Sequence, residues 1–381
     1  MQLSNPQTAV QTLFFTYFAI VGAFAPYLSL YYKEVGLSIA QIGVLAALAQ
    51  VVRIFAPPFW GGLLDRGSRR SRLLQVSAIG TLLGALMLDG AGGNYTAIFL
   101  VLAFYYFASS AQVPLYESMA VAVAAGDTGR YGAMRQWGSI GFIATVTLTG
   151  PLLDAVGVRW LTWVVIALCV VLVAVVGRLP EPPSQPRKRG ASAWRRLREP
   201  ALLAFFVSCF LMLFAHAAFY GFYSLYLEQA GYSKTIIGLA WTTGVIAEIV
   251  LFRVQRRLFL RFGAHTLLSF SLAVAALRFT LVGLAGAHPL VVLVTQLMHA
   301  ITFGLHHSAV MALLHRWFGG EQQGRAQAMY ITLGNGLGGG AGGIVASQLW
   351  EGFGPEVAFY GAALAAVVGW FAVGLSKRYD K

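Results

Sequence analysis

Five ionisable side chains stand inside otherwise apolar stretches of this 381-residue chain: Arg53, Glu117, Arg135, Glu248 and Arg278. At mid-membrane each would cost roughly 2.5–3.5 kcal/mol unless paired or facing water, so each reads as a working group or as half of an ion pair. An arginine presents a planar fork of donors that can grip a carboxylate at two points. A carboxylate beside it is pulled one way by desolvation and the other by the neighbouring charge, the physical basis for binding and releasing a proton. Glu117, Arg135 and Glu248 are therefore read as one polar cluster lining a central cavity, with Arg135 as solute anchor and one carboxylate as proton carrier. The alternative for all five is a structural ion pair that only fixes helix packing.

Histidines and aromatics add to this set. His299 and His306 are seven residues apart on one helical face, and His216 shares a face with Tyr220 and Tyr223. A histidine titrates near physiological pH, so His299 can serve a proton path; a hydrogen-bonded structural role is the alternative. Tyr17, Phe24, Tyr27 and Tyr31 recur on one segment, and Phe219, Phe222 and Tyr226 are the counterparts of the last three. Such stripes pack helices or form interfacial belts; lining a cavity, they would stack on a ring. Cys169 and Cys209 lie far apart, and no compact metal-ligand set is present, so neither a disulfide framework nor a metal site is expected.

The elements that must position these residues are membrane helices. The chain is 58% hydrophobic and only 11% charged, which excludes an ordinary soluble protein. Twelve long apolar stretches run at about 8–32, 38–64, 72–89, 96–125, 133–155, 159–179, 200–228, 234–256, 264–286, 289–315, 325–350 and 356–376. They are continuously apolar and about twice the length of a barrel strand, so the fold is all-α and polytopic. Residues 1–9 hold no Lys or Arg and the apolar run that follows is of spanning length, so no cleavable signal is expected.

A proline-rich basic segment from Arg178 to Pro200 divides the spans into two sets of six: 1–179, a linker at 180–199, and 200–381. The halves repeat. At a fixed offset of 195, Ser29, Leu30, Tyr31, Gly36, Ser38, Ile42 and Gly43 meet Ser224, Leu225, Tyr226, Gly231, Ser233, Ile237 and Gly238. The same offset pairs Gly129, Arg130, Ala133, Met134 and Gly141 with Gly324, Arg325, Ala328, Met329 and Gly336, and Arg53 with Glu248. Six spans per half makes the repeats parallel, related by an axis along the membrane normal. With both termini inside, 21 of the 27 basic residues fall on the cytoplasmic side and only Lys33, Arg159 and Lys234 outside, so the formal charge of +13 orients the chain rather than recruiting nucleic acid.

Between the second and third spans stands Gly61-Gly-Leu-Leu-Asp65-Arg66-Gly-Ser68-Arg69-Arg70. It resembles the signature loop of the major facilitator superfamily, Gly-x-x-x-Asp-Arg/Lys-x-Gly-Arg-Arg/Lys, with Ser68 at the second glycine. The resemblance implies two parallel six-helix repeats and a gating role for Asp65, Arg66, Arg69 and Arg70. The corresponding loop in the second half, with Arg256, Leu260, Arg261 and Gly263, lacks the acid.

Within the superfamily the chain is similar to the phenylpropionate permease group and to lactose permease. The likeness is carried by Tyr17 to Tyr31, by Arg130-Tyr-Gly-Ala-Met-Arg135-Gln-Trp-Gly-Ser-Ile-Gly141-Phe, and by Leu197-Arg-Glu-Pro200. Pro114, Glu117 and Arg135 keep the spacing of the permease's proline and its sugar-binding acid and arginine. His299 falls at its coupling histidine and Arg278, with one residue of slippage, at its arginine in span nine. Thr302 replaces the proton-carrying acid, Ala217 and Tyr220 replace aspartates of span seven, and Glu248 lies three residues beyond the acid of span eight, so sugar specificity and proton path do not carry over.

The expected solute-binding set is Glu117, Arg135, Trp137, Tyr27, Tyr106, His216 and Tyr220. The expected proton-coupling set is Glu117, Glu248, His299 and Arg278, with Arg53 as a further intramembrane charge. Together they imply a secondary active transporter, a proton-coupled symporter importing an aromatic acid or a sugar by alternating access. A proton-coupled exporter and a non-transporting receptor or scaffold are the alternatives. No catalytic constellation or phosphate-binding loop is present, so an enzyme or primary pump is not expected. A monomer in the bacterial cytoplasmic membrane is expected, with the proton gradient in place of a cofactor and with a small solute, protons and lipid, but no nucleic acid, as partners.

Overall fold

The computed structural model describes residues 5–66, 68–178, 194–319 and 322–380. Among the described residues, eleven helical rods are long and apolar enough to cross a membrane: α1 Pro6–Glu34, α2 Ile39–Leu64, α3 Arg70–Gly90, α4 Tyr95–Ala124, α5 Gly129–Val156, α6 Val158–Val176, α7 Pro200–Gln229, α8 Lys234–Phe262, α9 Ala264–Ala285, α10 Pro289–Trp317 and α12 Pro355–Tyr379. The glycine-rich α11, residues 323–353, completes the twelve. Polar punctuation starts these helices. Asn5, Asn94 and Asp127 accept hydrogen bonds from the first free amides of α1, α4 and α5, and Pro200, Pro289 and Pro355 occupy first-turn positions where a missing N–H costs nothing.

By spatial contact the chain forms two compact units. One gathers Met1–Ser38, Val52–Arg187 and Tyr232–Leu239; the other Ile39–Val51, Lys188–Gly231 and Ala240–Lys381. In the first, α1 packs along α5 and α6, and α3 against α4 and α6. In the second, α7 packs along α11 and α12, and α9 against α10 and α12. The same pairing recurs six helices on, as the sequence repeat requires.

Finer contacts repeat as well, within one or two residues of the 195 offset. The Tyr31 hydroxyl donates to the Leu88 carbonyl at 3.4 Å, and its counterpart Tyr226 donates to that of Val282 at 3.2 Å. Gly36 and Gly231, offset by 195, both turn the chain in the left-handed region at φ 90° and 87°; at the end of α5 and of α11 the matching pair is Gly157 and Gly354, offset by 197. The two extra residues are absorbed in α11, where Ile331–Gly339 is π-helical. Each π turn takes up about one residue more than an α turn.

Glycine sets how closely helices approach. A Cβ on Gly43 would lie 2.2 Å from the Ser347 Oγ of α11, and one on Gly238 would lie 2.2 Å from the Tyr27 hydroxyl and 2.6 Å from the Val146 carbonyl of α5. Any larger residue would push α2 off α11 or α8 off α5.

Helix distortions also fall at equivalent depths. The rod α4 is interrupted between Ser109 and Gln112, just before Pro114, whose ring nitrogen cannot continue the ladder. In α10 the segment Ala300–Leu305 is π-helical, directly after His299. Of the linker, residues 179–193 lie outside the described ones. Trp194–Arg198 forms a short 3-10 turn in which Arg196 pairs with Glu199 at 2.7 Å, holding that carboxyl below its ordinary range.

Candidate functional site

Four of the five intramembrane charges fall in two sites, each described within its own unit. In the first, the turn after Ser109 and Pro114 precedes Glu117 on α4, and Tyr131 and Arg135 lie one turn apart on the same face of α5. Arg135 Nε meets Glu117 Oε1 at 3.2 Å, and the Tyr131 hydroxyl donates to Glu117 Oε2 at 2.6 Å. The guanidinium lies 4.5 Å from the Phe18 ring centroid and 5.3 Å from that of Phe14. Gly138 makes room: a Cβ there would sit 2.7 Å from Phe18 Cδ2 and 2.8 Å from Arg135 Nη1. The pair is open, with 37% of the Arg135 side chain and 32% of that of Glu117 accessible.

The second site is nearly closed. Arg278 on α9 is fully buried, and its Nε donates to the Thr295 carbonyl at 2.8 Å. Its Nη1 lies 3.1 Å from His299 Nδ1 and 3.1 Å from Thr302 Oγ1, and its guanidinium covers the Phe219 ring at 4.2 Å. His299 Nε2 lies 3.1 Å from Glu248 Oε1, with 15% of the Glu248 side chain accessible. A guanidinium has only donors, so His299 Nδ1 is an acceptor and its single N–H is on Nε2, directed at the Glu248 carboxylate. His216 is fixed in the same way: Nδ1 donates to the Met212 carbonyl at 2.9 Å, leaving Nε2 to accept from the Thr302 hydroxyl at 3.3 Å. The network runs from Arg278 in two branches, one through His299 to Glu248 and one through Thr302 to His216. Phe303 stacks on the His299 ring at 5.4 Å and 6°, and Phe219 packs at 5.1 Å, which fixes its plane.

The other expected site residues sit as follows. Tyr27 is wholly buried and its hydroxyl donates to Val146 at 2.7 Å. Tyr106 packs edge-on against Tyr105 at 5.6 Å. Trp137 is 38% exposed beside Phe15, and Tyr220 is 37% exposed, stacked on Trp241 at 6.1 Å. Arg53, the counterpart of Glu248 in the repeat, is exposed. Glu248 meets His299 within its own unit. His306 lies beyond the π turn, with Nδ1 3.2 Å from Ser271 Oγ. Of the gating set, Arg66 and Arg69 are exposed and Arg70 opens α3, half-buried; the Asp65 side chain lies outside the described residues.

Sequence reasoning missed Phe14, Phe18, Tyr131 and Gly138. Tyr131 carried a signal, since it stands four residues before Arg135 and must share its face. The two phenylalanines carried none, because nothing in α1 marks which of its many rings turns toward α5.

Comparison with known proteins places these sites in a family. The model of the MFS_1 like family matches residues 8–361. A protein of Escherichia coli (strain K12) named "Probable 3-phenylpropionic acid transporter" is 34% identical over 84% of this chain and 85% of its own. The maltose permease of Geobacillus stearothermophilus is 30% identical over 87% and 84%. In fold, the chain resembles the nucleoside transporter NupG, with a TM-score of 0.84 and 18% identity over 98% of this chain and 98% of that one. With its twelve helices, its internal repeat and a family match over nearly its whole length, the chain is a multi-pass membrane transporter of the major facilitator superfamily and belongs to the MFS_1 like family.

Proposed function

We propose that the chain is a proton-coupled symporter that imports a small aromatic carboxylic acid by alternating access. The observation that carries the reading is the half-exposed Arg135, held through Nε by Glu117 and backed by the rings of Phe14 and Phe18. With Nε engaged, the Nη1–Nη2 edge is the one a solute carboxylate would take, and the adjoining rings suit an apolar aromatic body. The 3-phenylpropionic acid named for the Escherichia coli relative is of this class. A sugar is the second reading, favoured by the Glu117 carboxylate beside the Tyr131 hydroxyl and by the maltose permease relative.

For coupling, Glu248 is the proton carrier. It is the carboxylate of the buried network, and the tautomer of His299 leaves no acceptor nitrogen there without breaking the bond from Arg278. His299 orients, and Arg278 supplies fixed charge. The basic-residue bias supports termini in the cytoplasm and a place in the bacterial cytoplasmic membrane. We take the chain to act as a transporter rather than an enzyme, as a monomer in lipid, drawing on the proton gradient without a cofactor. Asp65, Arg66, Arg69 and Arg70 act as the gate.

The test is uptake of labelled 3-phenylpropionate into proteoliposomes under an inward proton gradient, beside maltose and a nucleoside. Gradient-dependent accumulation of the aromatic acid is expected. Accumulation of the sugar alone would select the second reading, proton-driven efflux would select an exporter, and no movement of any solute would overturn transport of these classes.

A further inference from the structure

Beside the network around Glu248, a polar side chain of α10 is buried with both of its polar atoms unpartnered. Gln296 stands three residues before His299 and is buried to 1%. Among the described residues, neither its amide nitrogen nor its amide oxygen has a hydrogen-bond partner. Across from it on α8 is Gly244, four residues before Glu248. A Cβ on Gly244 would sit 3.1 Å from Gln296 Oε1 and 3.4 Å from His299 Cδ2. Residues three or four apart share a helix face, so α8 and α10 meet in two successive rungs. One rung is Glu248 with His299 at 3.1 Å; the next, toward Lys234 and Pro289, is Gly244 with Gln296, where α8 contributes no side chain.

A buried carboxamide with both atoms unsatisfied is an expensive way to fill space that a leucine would fill at no polar cost. Its value lies in being able both to donate and to accept. We propose that Gln296 is a positioning residue of the coupling network, the partner that the Glu248 carboxyl takes once it is protonated. The inference rests on the reading of Glu248 as proton carrier. While Glu248 is ionised, it accepts from the His299 Nε2–H. When a hydronium ion gives its proton to a carboxylate oxygen and leaves as water, the charge that held His299 is gone and a new O–H needs an acceptor. The amide oxygen of Gln296, one rung away, supplies it, and the bare Gly244 leaves the amide room to turn.

Further titratable or charged groups face this site. They are Arg278 on α9, His216, Tyr220 and Tyr223 on α7, and His306 and His307 on α10. None of them stands on the Gly244 rung.

The experiment titrates the Glu248 carboxylic acid C=O stretch by infrared difference spectroscopy on the whole protein in lipid, with Glu248→Gln identifying the band. Gln296→Leu is expected to raise the melting temperature, since two orphaned atoms are removed, and to move the Glu248 midpoint to lower pH by about one unit, the tenfold worth of one hydrogen bond to the acid form. Gln296→Asn, which keeps the amide, recovers part of the shift, and Gly244→Ala, which crowds the Gln296 amide and obstructs its turn without removing a polar group, reproduces it. A midpoint unchanged in both Gln296→Leu and Gly244→Ala overturns the role of Gln296. If no titrating band is lost in Glu248→Gln, the reading of Glu248 fails instead, and the inference with it.

Discussion

The two charged sites use similar residues under opposite conditions. Glu117 and Arg135 pair with about a third of each side chain accessible, whereas Arg278 is wholly buried and Glu248 and His299 are nearly so. In the open pair, water screens the charges and a ligand can replace it at the guanidinium edge. In the closed network the low dielectric makes each added or removed proton a large electrostatic event. Burial, more than residue type, separates the two, and on the proposed reading it is what suits one to holding a solute and the other to sensing a proton.

The comparison breaks most sharply at Arg135. Replacement by glutamine is expected to cost about 3 kcal/mol, on the order of 100-fold in KM for an aromatic acid, from two charge-assisted hydrogen bonds. Retention of KM in a transport assay would move the solute out of the open site. Next, Glu248→Gln is expected to abolish accumulation against a gradient while leaving solute counterflow within about threefold, because the neutral amide imitates the protonated acid. Parallel loss of both activities would put Glu248 in solute binding instead.

Smaller changes sharpen the contrast. In Gly138→Ala the new Cβ would crowd Phe18 and Arg135 Nη1. It should raise KM about tenfold, within the 1–3 kcal/mol typical of overpacking, and leave the proton dependence unchanged. Tyr131→Phe removes one hydrogen bond to Glu117, worth about 1 kcal/mol or roughly fivefold in affinity. Tyr27→Phe removes the bond to Val146 and should lower the melting temperature by a few degrees, about 1 kcal/mol, with KM unaltered. A KM change there would return Tyr27 to the solute site.

Much of the architecture was legible in the chain. Apolar runs of spanning length located the helices, and Asp65-Arg66 with Arg69-Arg70 pointed to the superfamily. The spacing from Pro114 through Glu117 to Arg135 pointed to the open pair through its resemblance to lactose permease, and helical geometry alone made only Tyr131 and Arg135 readable as sharing one face. The closed network was less legible. Arg278, Glu248 and His299 were each conspicuous as polar residues in apolar runs and stood together, with Glu117, in the expected proton-coupling set, but which of their atoms meet was not readable. Three rods bring the buried groups together, and their rotation about their own axes is set by packing. The slip from 195 to 197 was hidden as well, since the repeat signal stops at Gly141 and Gly336, within the π segment that absorbs it.

By itself the sequence determined the number of helices and the division into repeats, because in lipid every backbone polar group must be satisfied within its own helix. It also determined which residues would be costly in the membrane, since that cost belongs to the side chain. Only the tertiary structure decided which charge meets which. It put Arg278 against His299 Nδ1 and so fixed the N–H toward Glu248, left Arg53 exposed where its counterpart is paired, and set Gln296 over a bare glycine. The physical reason is range. Hydrophobic partition acts on each segment alone, whereas hydrogen bonds and tautomers depend on angles and on distances near 3 Å that exist only once separate helices have packed.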